Sequence, residues 1–210
     1  MATADGGALI GRILKEQNVE YMFAVNGGHT FPILANIREN GVKLIHMRHE
    51  QATAYAADAY ARITGKPGVC CVTAGCGLTN AVTGLCGAGL TNSSVVCLSG
   101  QHPTTEDYIG SFQEAYGSDV VGSFAKFTKR VLDWSTIELD LRQAFREAMN
   151  PPQGVSLLEI PTNILYQTED ETKQRPGAKI YATDELRSQG DPRSIEALAQ
   201  LLFRAERPMI

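Results

Sequence analysis

The alternation of two hydrophobic periods along the chain constrains the fold more than any other feature. Helical stripes and short apolar runs follow one another from the N-terminus to about residue 166. Leu9, Ile10, Ile13 and Leu14 recur at helical spacing, and Tyr21 to Val25 reads as a short strand. A Gly-containing loop over 26–30 leads to a helix near 31–38, then a strand over 42–46 and an Ala-rich helix over 51–63. Val69 to Thr73 predicts a buried strand, 78–90 a helix and 95–98 another strand. A polar loop, 101–117, is long enough to suggest function rather than connection alone. Phe127 to Leu132 and Val155 to Ile160 read as further strands, the second stopped by Pro161. Between them Ser135 and Glu138 have the spacing of a capping box, ahead of Ile137, Leu141, Ala144, Phe145 and Ala148 on one helical face. Apolar strands alternating with helices predict an α/β fold, a mainly parallel sheet with helices on both faces.

After residue 166 the pattern changes. Residues 167–190 are polar with no long apolar run and read as a linker. Asp191-Pro192 then reads as an N-cap with a proline at the first helical position, followed by a stripe of Ile195, Leu198, Ala199, Leu202 and Phe203. The expected organisation is one domain over 1–166, a linker over 167–190 and the start of a truncated second domain over 191–210. On this reading the sequence is an N-terminal fragment.

With 210 residues, 43% hydrophobic and 20% charged, the chain has the composition of a globular protein able to bury a core. Its net charge of -4 and the absence of a basic block argue against nucleic-acid or anionic-membrane partners. No apolar run approaches the roughly 20 residues of a membrane span, and MATADGGALIGRIL lacks the basic and apolar regions of a signal peptide. The expected location is the cytoplasm. Five cysteines, at 70, 71, 76, 86 and 97, have no C-x-x-C spacing, which disfavours a disulfide framework or a zinc site. Cys70, Cys71 and Cys97 read as small buried hydrophobes; Cys76 alone falls in a Gly-rich loop.

Two stretches have the residue types of a site. Gly75-Cys76-Gly77-Leu78-Thr79-Asn80 follows a strand and opens a helix, where backbone N–H groups can face an anion. A tight turn with no ligand would look the same. A dinucleotide fingerprint would need a third glycine at Asn80 and an acid about 20 residues on, and no Asp or Glu occurs from Ala59 to Thr105. Arg48-His49-Glu50 lies between a strand and a helix. There a glutamate can simply favour the helix dipole, yet strand carboxyl ends are where open α/β sheets bind ligands. His29 and Gln113 leave other strand ends, so a carboxylate, an imidazole and a carboxamide could share one cleft.

The stretch MRHEQATAYAADAYARITGKPGVCCVTAGCGLTNAVTGL (Met47 to Leu85) resembles the pyrimidine-binding domain of thiamine-diphosphate enzymes. It is most similar to the acetolactate synthase, benzaldehyde lyase and 2-hydroxyacyl-CoA lyase branch. VNGGHTFPI, SFQEA, Thr128-Lys129 and LLEIPTNIL extend the likeness over 5–167, and RAERPMI resembles the start of that family's central domain. The resemblance implies that Glu50 hydrogen-bonds N1′ of the cofactor's aminopyrimidine and promotes the imino tautomer that takes the C2 proton. His29 matches a histidine of the benzaldehyde lyase pattern and can carry a proton near neutral pH. Gln113 matches the active-site glutamine, and Asn26, Gly27, Thr73, Gly75 and Asn80 match positions lining the pyrimidine pocket.

The resemblance further implies thiamine diphosphate as cofactor, with Mg²⁺ and the diphosphate held by a C-terminal domain of a neighbouring subunit, and hence a homodimer or homotetramer. The substrates implied are small 2-keto or 2-hydroxyacyl compounds, with a C–C bond made or broken beside a carbonyl. Two departures bear on pocket shape. Asn26 stands in the loop where the family has proline, and Ala74-Gly75-Cys76-Gly77 replaces its Ser/Thr-Gly-Pro-Gly. The alternatives are an acetolactate synthase acting on pyruvate, for which FAD would be expected, and a non-catalytic binding module in which Glu50 only caps a helix.

Overall fold

The computed structural model describes residues 3–175 and 189–209. The first half runs β1 (Thr3–Asp5), α1 (Gly6–Glu16), β2 (Tyr21–Ala24), α2 (Phe31–Ile37), β3 (Lys43–His46), α3 (Glu50–Thr64), β4 (Gly68–Val72) and α4 (Cys76–Leu90). The second runs β5 (Val95–Gln101), α5 (Gly117–Val121), β6 (Phe127–Arg130), α6 (Ile137–Met149), β7 (Val155–Pro161), α7 (Thr162–Tyr166), β8 (Thr168–Asp170) and α8 (Pro192–Arg204). Six strands form one sheet in the order β3-β2-β4-β5-β7-β6, with every pairing parallel. The expected class is the observed one.

Strand alternation divides the core in two. From β4, β5 and β7, Val69, Cys71, Val96, Leu98, Leu158 and Ile160 join α1, α2, α6 and α7 on one face. Their neighbours Cys70, Val72, Val95, Cys97, Val155 and Leu157 join α3, α4 and α5 on the other. Both registers are buried because helices cover both faces, so these strands read as continuous apolar runs. Cys70, Cys71 and Cys97 are free, buried thiols, as their setting in the sequence suggests; burial pushes the Cys71 thiol up.

On the second face the helices approach closely because their contacts are small. A Cβ on Gly84 of α4 would lie 2.6 Å from the Ala54 Cβ of α3, and one on Gly68 would lie 2.0 Å from the Ala57 carbonyl oxygen. The Ala-rich face of α3 therefore seats directly on α4 and the start of β4. Helix α3 ends at Gly65, whose φ of 70° and N–H bond to the Ala61 carbonyl close the last turn.

Two local expectations change. Ser135 does not cap α6: Asp133 accepts from the Ser135 N–H at 2.8 Å, opening a short 3₁₀ turn over Trp134–Thr136 first. Glu138 instead receives the Arg142 Nε at 2.9 Å, so an acceptor two residues earlier takes the cap. The start of the expected linker also has structure, because β8 pairs antiparallel with β1, Thr3 opposite Asp170. Residues 168–175 thus fold onto the body, tied by Arg12 to Glu171 at 2.7 Å and by Gln174 Nε2 to the Trp134 carbonyl at 2.6 Å. Composition could not show this, since a strand of a separate two-stranded sheet needs no apolar run. Residues 176–188 of the expected linker lie outside the described residues. Helix α8 forms as its signals suggest, with the Asp191 side chain accepting from the Ser194 N–H at 2.9 Å. Among the described residues no helix is long and apolar enough to cross a membrane.

Two glycines should respond oppositely to one methyl group. Gly68→Ala drives a Cβ into backbone and is expected to cost at least ~1–3 kcal/mol, the usual range for overpacking. Gly87→Ala, whose Cβ would meet only Tyr55 Cε1 at 3.8 Å, is expected to gain up to about 1 kcal/mol from helix propensity. Urea unfolding of the two variants checks the contrast, and equal midpoints would contradict the packing described.

Candidate active site

Because all six strands run parallel, the loops that leave their carboxyl ends gather along one edge. Residues 25–30 follow β2, 47–49 follow β3, 73–75 follow β4, and 102–116 follow β5. These four loops carry the residues singled out from the sequence.

Glu50 is the first residue of α3, half-buried, behind the His49 N-cap, whose Nδ1 accepts from the Gln51 N–H at 3.2 Å. Its Oε2 accepts from Asn80 Nδ2 at 3.1 Å, which joins α3 to α4 across the site. Its Oε1 has no hydrogen-bond partner among the described residues. Gly77 packs against Thr73 beside that oxygen. A Cβ there would lie 2.5 Å from Thr73 Cγ2 and 3.6 Å from Glu50 Oε1.

His29 is 8% exposed. Its Nδ1 stands 3.3 Å from Thr73 Oγ1, and the Phe112 ring lies stacked beside it at 6.0 Å and 15°. Two absent side chains allow this. A Cβ on Gly27 would lie 2.2 Å from Thr73 Cβ, and one on Gly100 would lie 2.5 Å from His29 Cβ. Burial, and then the charge of His102, push the His29 imidazole below its ordinary value, while Gln113 and the Phe112 backbone pull the other way. The net direction favours the neutral ring, which can accept a proton and return it.

Gln113 sits in left-handed backbone at φ 59°, with its Nε2 donating to Cys76 Sγ at 3.1 Å. Its carbonyl oxygen would be 2.4 Å from a Cβ on Gly75, which itself has φ 56°. Only glycine satisfies both conditions at position 75. Glu50, Thr73, Asn80, Gly27, Gly75, His29 and Gln113 are thus linked through neighbouring contacts. Asn26 is on the same loop as Gly27 but exposed, and its side chain makes no hydrogen bond among the described residues.

Sequence reasoning gave no role to Gly77, Gly100, Phe112 or the sulfur of Cys76. The only signals were the second glycine of Gly75-Cys76-Gly77 and the phenylalanine within SFQEA; Gly100 gave none. As to metals, no group of three or more His, Cys, Asp or Glu side chains among the described residues is placed to hold an ion.

A family profile described as "Thiamine pyrophosphate enzyme, N-terminal TPP binding domain" matches residues 4–121. A "Probable acetolactate synthase" of Mycobacterium bovis is 33% identical over 208 residues, 99% of this chain and 38% of that protein. "2-hydroxyacyl-CoA lyase 2" of Caenorhabditis elegans is 34% identical over 179 residues, 84% of this chain and 28% of the lyase. "2-hydroxyacyl-CoA lyase 1" of Mus musculus is 33% identical over 160 residues, 76% of this chain and 28% of that enzyme. The chain therefore spans less than two fifths of the length of these relatives.

The packing around His29 gives a measurable consequence. In an NMR titration its imidazole should reach half-protonation below the ordinary value of 6.5. Since the folded protein binds that proton less readily than the unfolded chain, its contribution to stability is complete above the unfolded value and declines as pH falls through it. A midpoint at or above 6.5 would contradict the burial described.

Proposed function

Because the chain belongs to the thiamine pyrophosphate enzymes through their N-terminal TPP-binding domain, we propose that it supplies the aminopyrimidine-activating half of a lyase or carboligase site. The reaction proposed makes or breaks a C–C bond beside a carbonyl. The observation that carries this reading is the Glu50 carboxylate, half-buried at the start of α3, with one oxygen fixed by Asn80 and the other without a hydrogen-bond partner among the described residues. A carboxylate oxygen left free to accept suits a nitrogen heterocycle with a donor at its edge.

Thiamine diphosphate, when bound, supplies the electron sink for a carbanion next to a carbonyl. The chain's own residues then have separable tasks. Glu50 holds a proton at the heterocycle's ring nitrogen, and Asn80 keeps the carboxylate oriented. Gly27, Thr73 and Gly75 shape the wall, and Asn26 stands at its exposed rim. The neutral His29 ring moves a proton to or from a substrate oxygen. Gln113, already oriented by Cys76, donates to the same substrate.

The cofactor's diphosphate and its Mg²⁺ would be held by a C-terminal domain of a neighbouring subunit, so the working unit proposed is a homodimer or homotetramer in the cytoplasm. The buried imidazole supports 2-hydroxy-ketones or 2-hydroxyacyl thioesters as substrates. The high coverage by the mycobacterial relative supports the second reading, pyruvate as substrate with FAD as an additional cofactor.

Two substitutions in the complete enzyme test these assignments. Glu50→Gln is expected to lower turnover by roughly 10²–10⁴-fold, the scale of an acid–base contact, with the circular dichroism spectrum unchanged. Near-normal turnover at saturating cofactor would sink the role of Glu50. His29→Ala should lower kcat on a 2-hydroxy-ketone or a 2-hydroxyacyl-CoA with little change in cofactor affinity. An unchanged kcat on both would reject proton transfer by His29, and brisk acetolactate formation from pyruvate alone would favour the second reading.

A further inference from the structure

The loop that carries Phe112 and Gln113 is held by charged groups outside the site described above. At the end of β5 the Gln101 amide is fully engaged. Its Nε2 donates to the Ala115 carbonyl at 2.6 Å and to Glu159 Oε1 at 3.0 Å. That fixes Oε1 as the atom facing His102, where it accepts from the His102 N–H at 3.0 Å and meets the ring Nδ1 at 2.6 Å. An amide oxygen can only accept, so Nδ1 carries a proton.

The other ring nitrogen, Nε2, stands 2.8 Å from Asp107 Oδ1. Arg130 forks onto the same carboxylate, Nη1 to Oδ2 at 2.8 Å and Nη2 to Oδ1 at 2.6 Å, and holds it ionised below the usual carboxylate range. An ionised carboxylate also only accepts, so Nε2 carries a proton too. The His102 ring is fully buried and donates from both nitrogens. Arg130 and Asp107 thus form an ion pair to which the His102 ring donates, joining β6, the loop and the residue that follows β5. Tyr116 closes the group, with Arg130 Cζ 5.5 Å and the His102 ring 5.7 Å from its ring centre.

We propose that His102, Asp107 and Arg130 are positioning residues, a clamp that fixes the 106–116 loop so that Gln113 and Phe112 are set against Cys76 and His29. The loop needs such a clamp. Tyr108 and Gln113 both have positive φ, 65° and 59°, and non-glycine residues persist there only where their surroundings over-determine them. Glu114 organises the inside of the loop by accepting from the Tyr108, Gly110 and Ser111 N–H groups at 2.5, 2.8 and 3.0 Å. Attachment to the sheet comes through Asp107 on one side; on the other it comes through Gln101, which donates to the Ala115 carbonyl, and through Glu159, which accepts from the Gly117 and Ser118 N–H groups at 2.9 and 2.8 Å. Gln101 and Glu159 are themselves on sheet strands. Among the described residues the side-chain hydrogen bonds to Asp107 come from His102 and Arg130.

The inference about the loop stands on geometry; its consequence for turnover rests on the function proposed above. The test variant is Asp107→Asn, which keeps the size and removes the charge, with His102→Gln as a second variant and Arg130→Lys as the conservative one. In the chain itself, hydrogen exchange is expected to speed up at least tenfold at Tyr108, Gly110 and Ser111 in Asp107→Asn, while the amides of β4 and β7 stay unchanged. Nitrogen-15 spectra should show protons on both His102 ring nitrogens in the wild type. In the complete enzyme Asp107→Asn should lower kcat at least tenfold with cofactor affinity within twofold, and Arg130→Lys should lower it less. Unchanged exchange in the loop, or a single protonated nitrogen on His102, would overturn the clamp. Faster loop exchange with undiminished kcat would overturn its positioning role. If His102→Gln fails to fold, Asp107→Asn decides. A wild-type enzyme with no turnover would count against the function proposed, and the exchange measurement would still decide the clamp.

Discussion

Parallel pairing of β4 between β2 and β5 is the constraint on which the rest depends. Met22 to Ala24 lie beside Val69 to Cys71, and Gly68 to Val72 lie beside Val95 to Ser99. Parallel strands need a crossover between each pair, so every carboxyl end opens on the same edge and the crossover helices cover the faces. Four loops that differ widely in sequence position meet there for that reason alone. Glu50 and Asn80, thirty residues apart, meet because α3 and α4 cover the same face.

Within that edge the site is formed as much by missing atoms as by functional groups. Gly27, Gly75, Gly77 and Gly100 each stand where a Cβ would collide with Thr73, Gln113 or His29. The close approach brings His29 to Thr73 and buries its ring, and burial in turn favours the neutral imidazole. Packing and chemistry are one event here. The same principle at lower stakes lets α3 lie on α4 through Gly84 and Ala54.

Much of this was legible in the sequence, and the parts that were not share a cause. The apolar runs of β4, β5 and β7 could be read because burial on both faces leaves no polar alternation to confuse them. The residues that the fold gathers along the carboxyl edge stand in ordered motifs, Arg-His-Glu, the Gly-x-Gly turn and SFQEA, which the sequence displays directly. The cap of α6 was misplaced because Asp133 and Ser135 are both good acceptors, and only the backbone decides which one reaches an N–H. β8 was missed because three polar residues paired to β1 have no period to detect.

The sequence by itself determined the α/β class, the covering of both faces, the loops rich in functional groups and the residue types available for proton transfer. These follow from periodicity and composition, which are local. The tertiary structure alone decided which oxygen of Glu50 is held and which is left open, that Phe112 lies beside His29, and that Cys76 receives Gln113. It alone also decided that the His102 ring donates from both nitrogens, because that depends on Gln101 and on an aspartate fixed by Arg130 from a different strand. A hydrogen bond is set by angles and by ångström-scale distances between groups distant in the chain, and no period in a sequence encodes them.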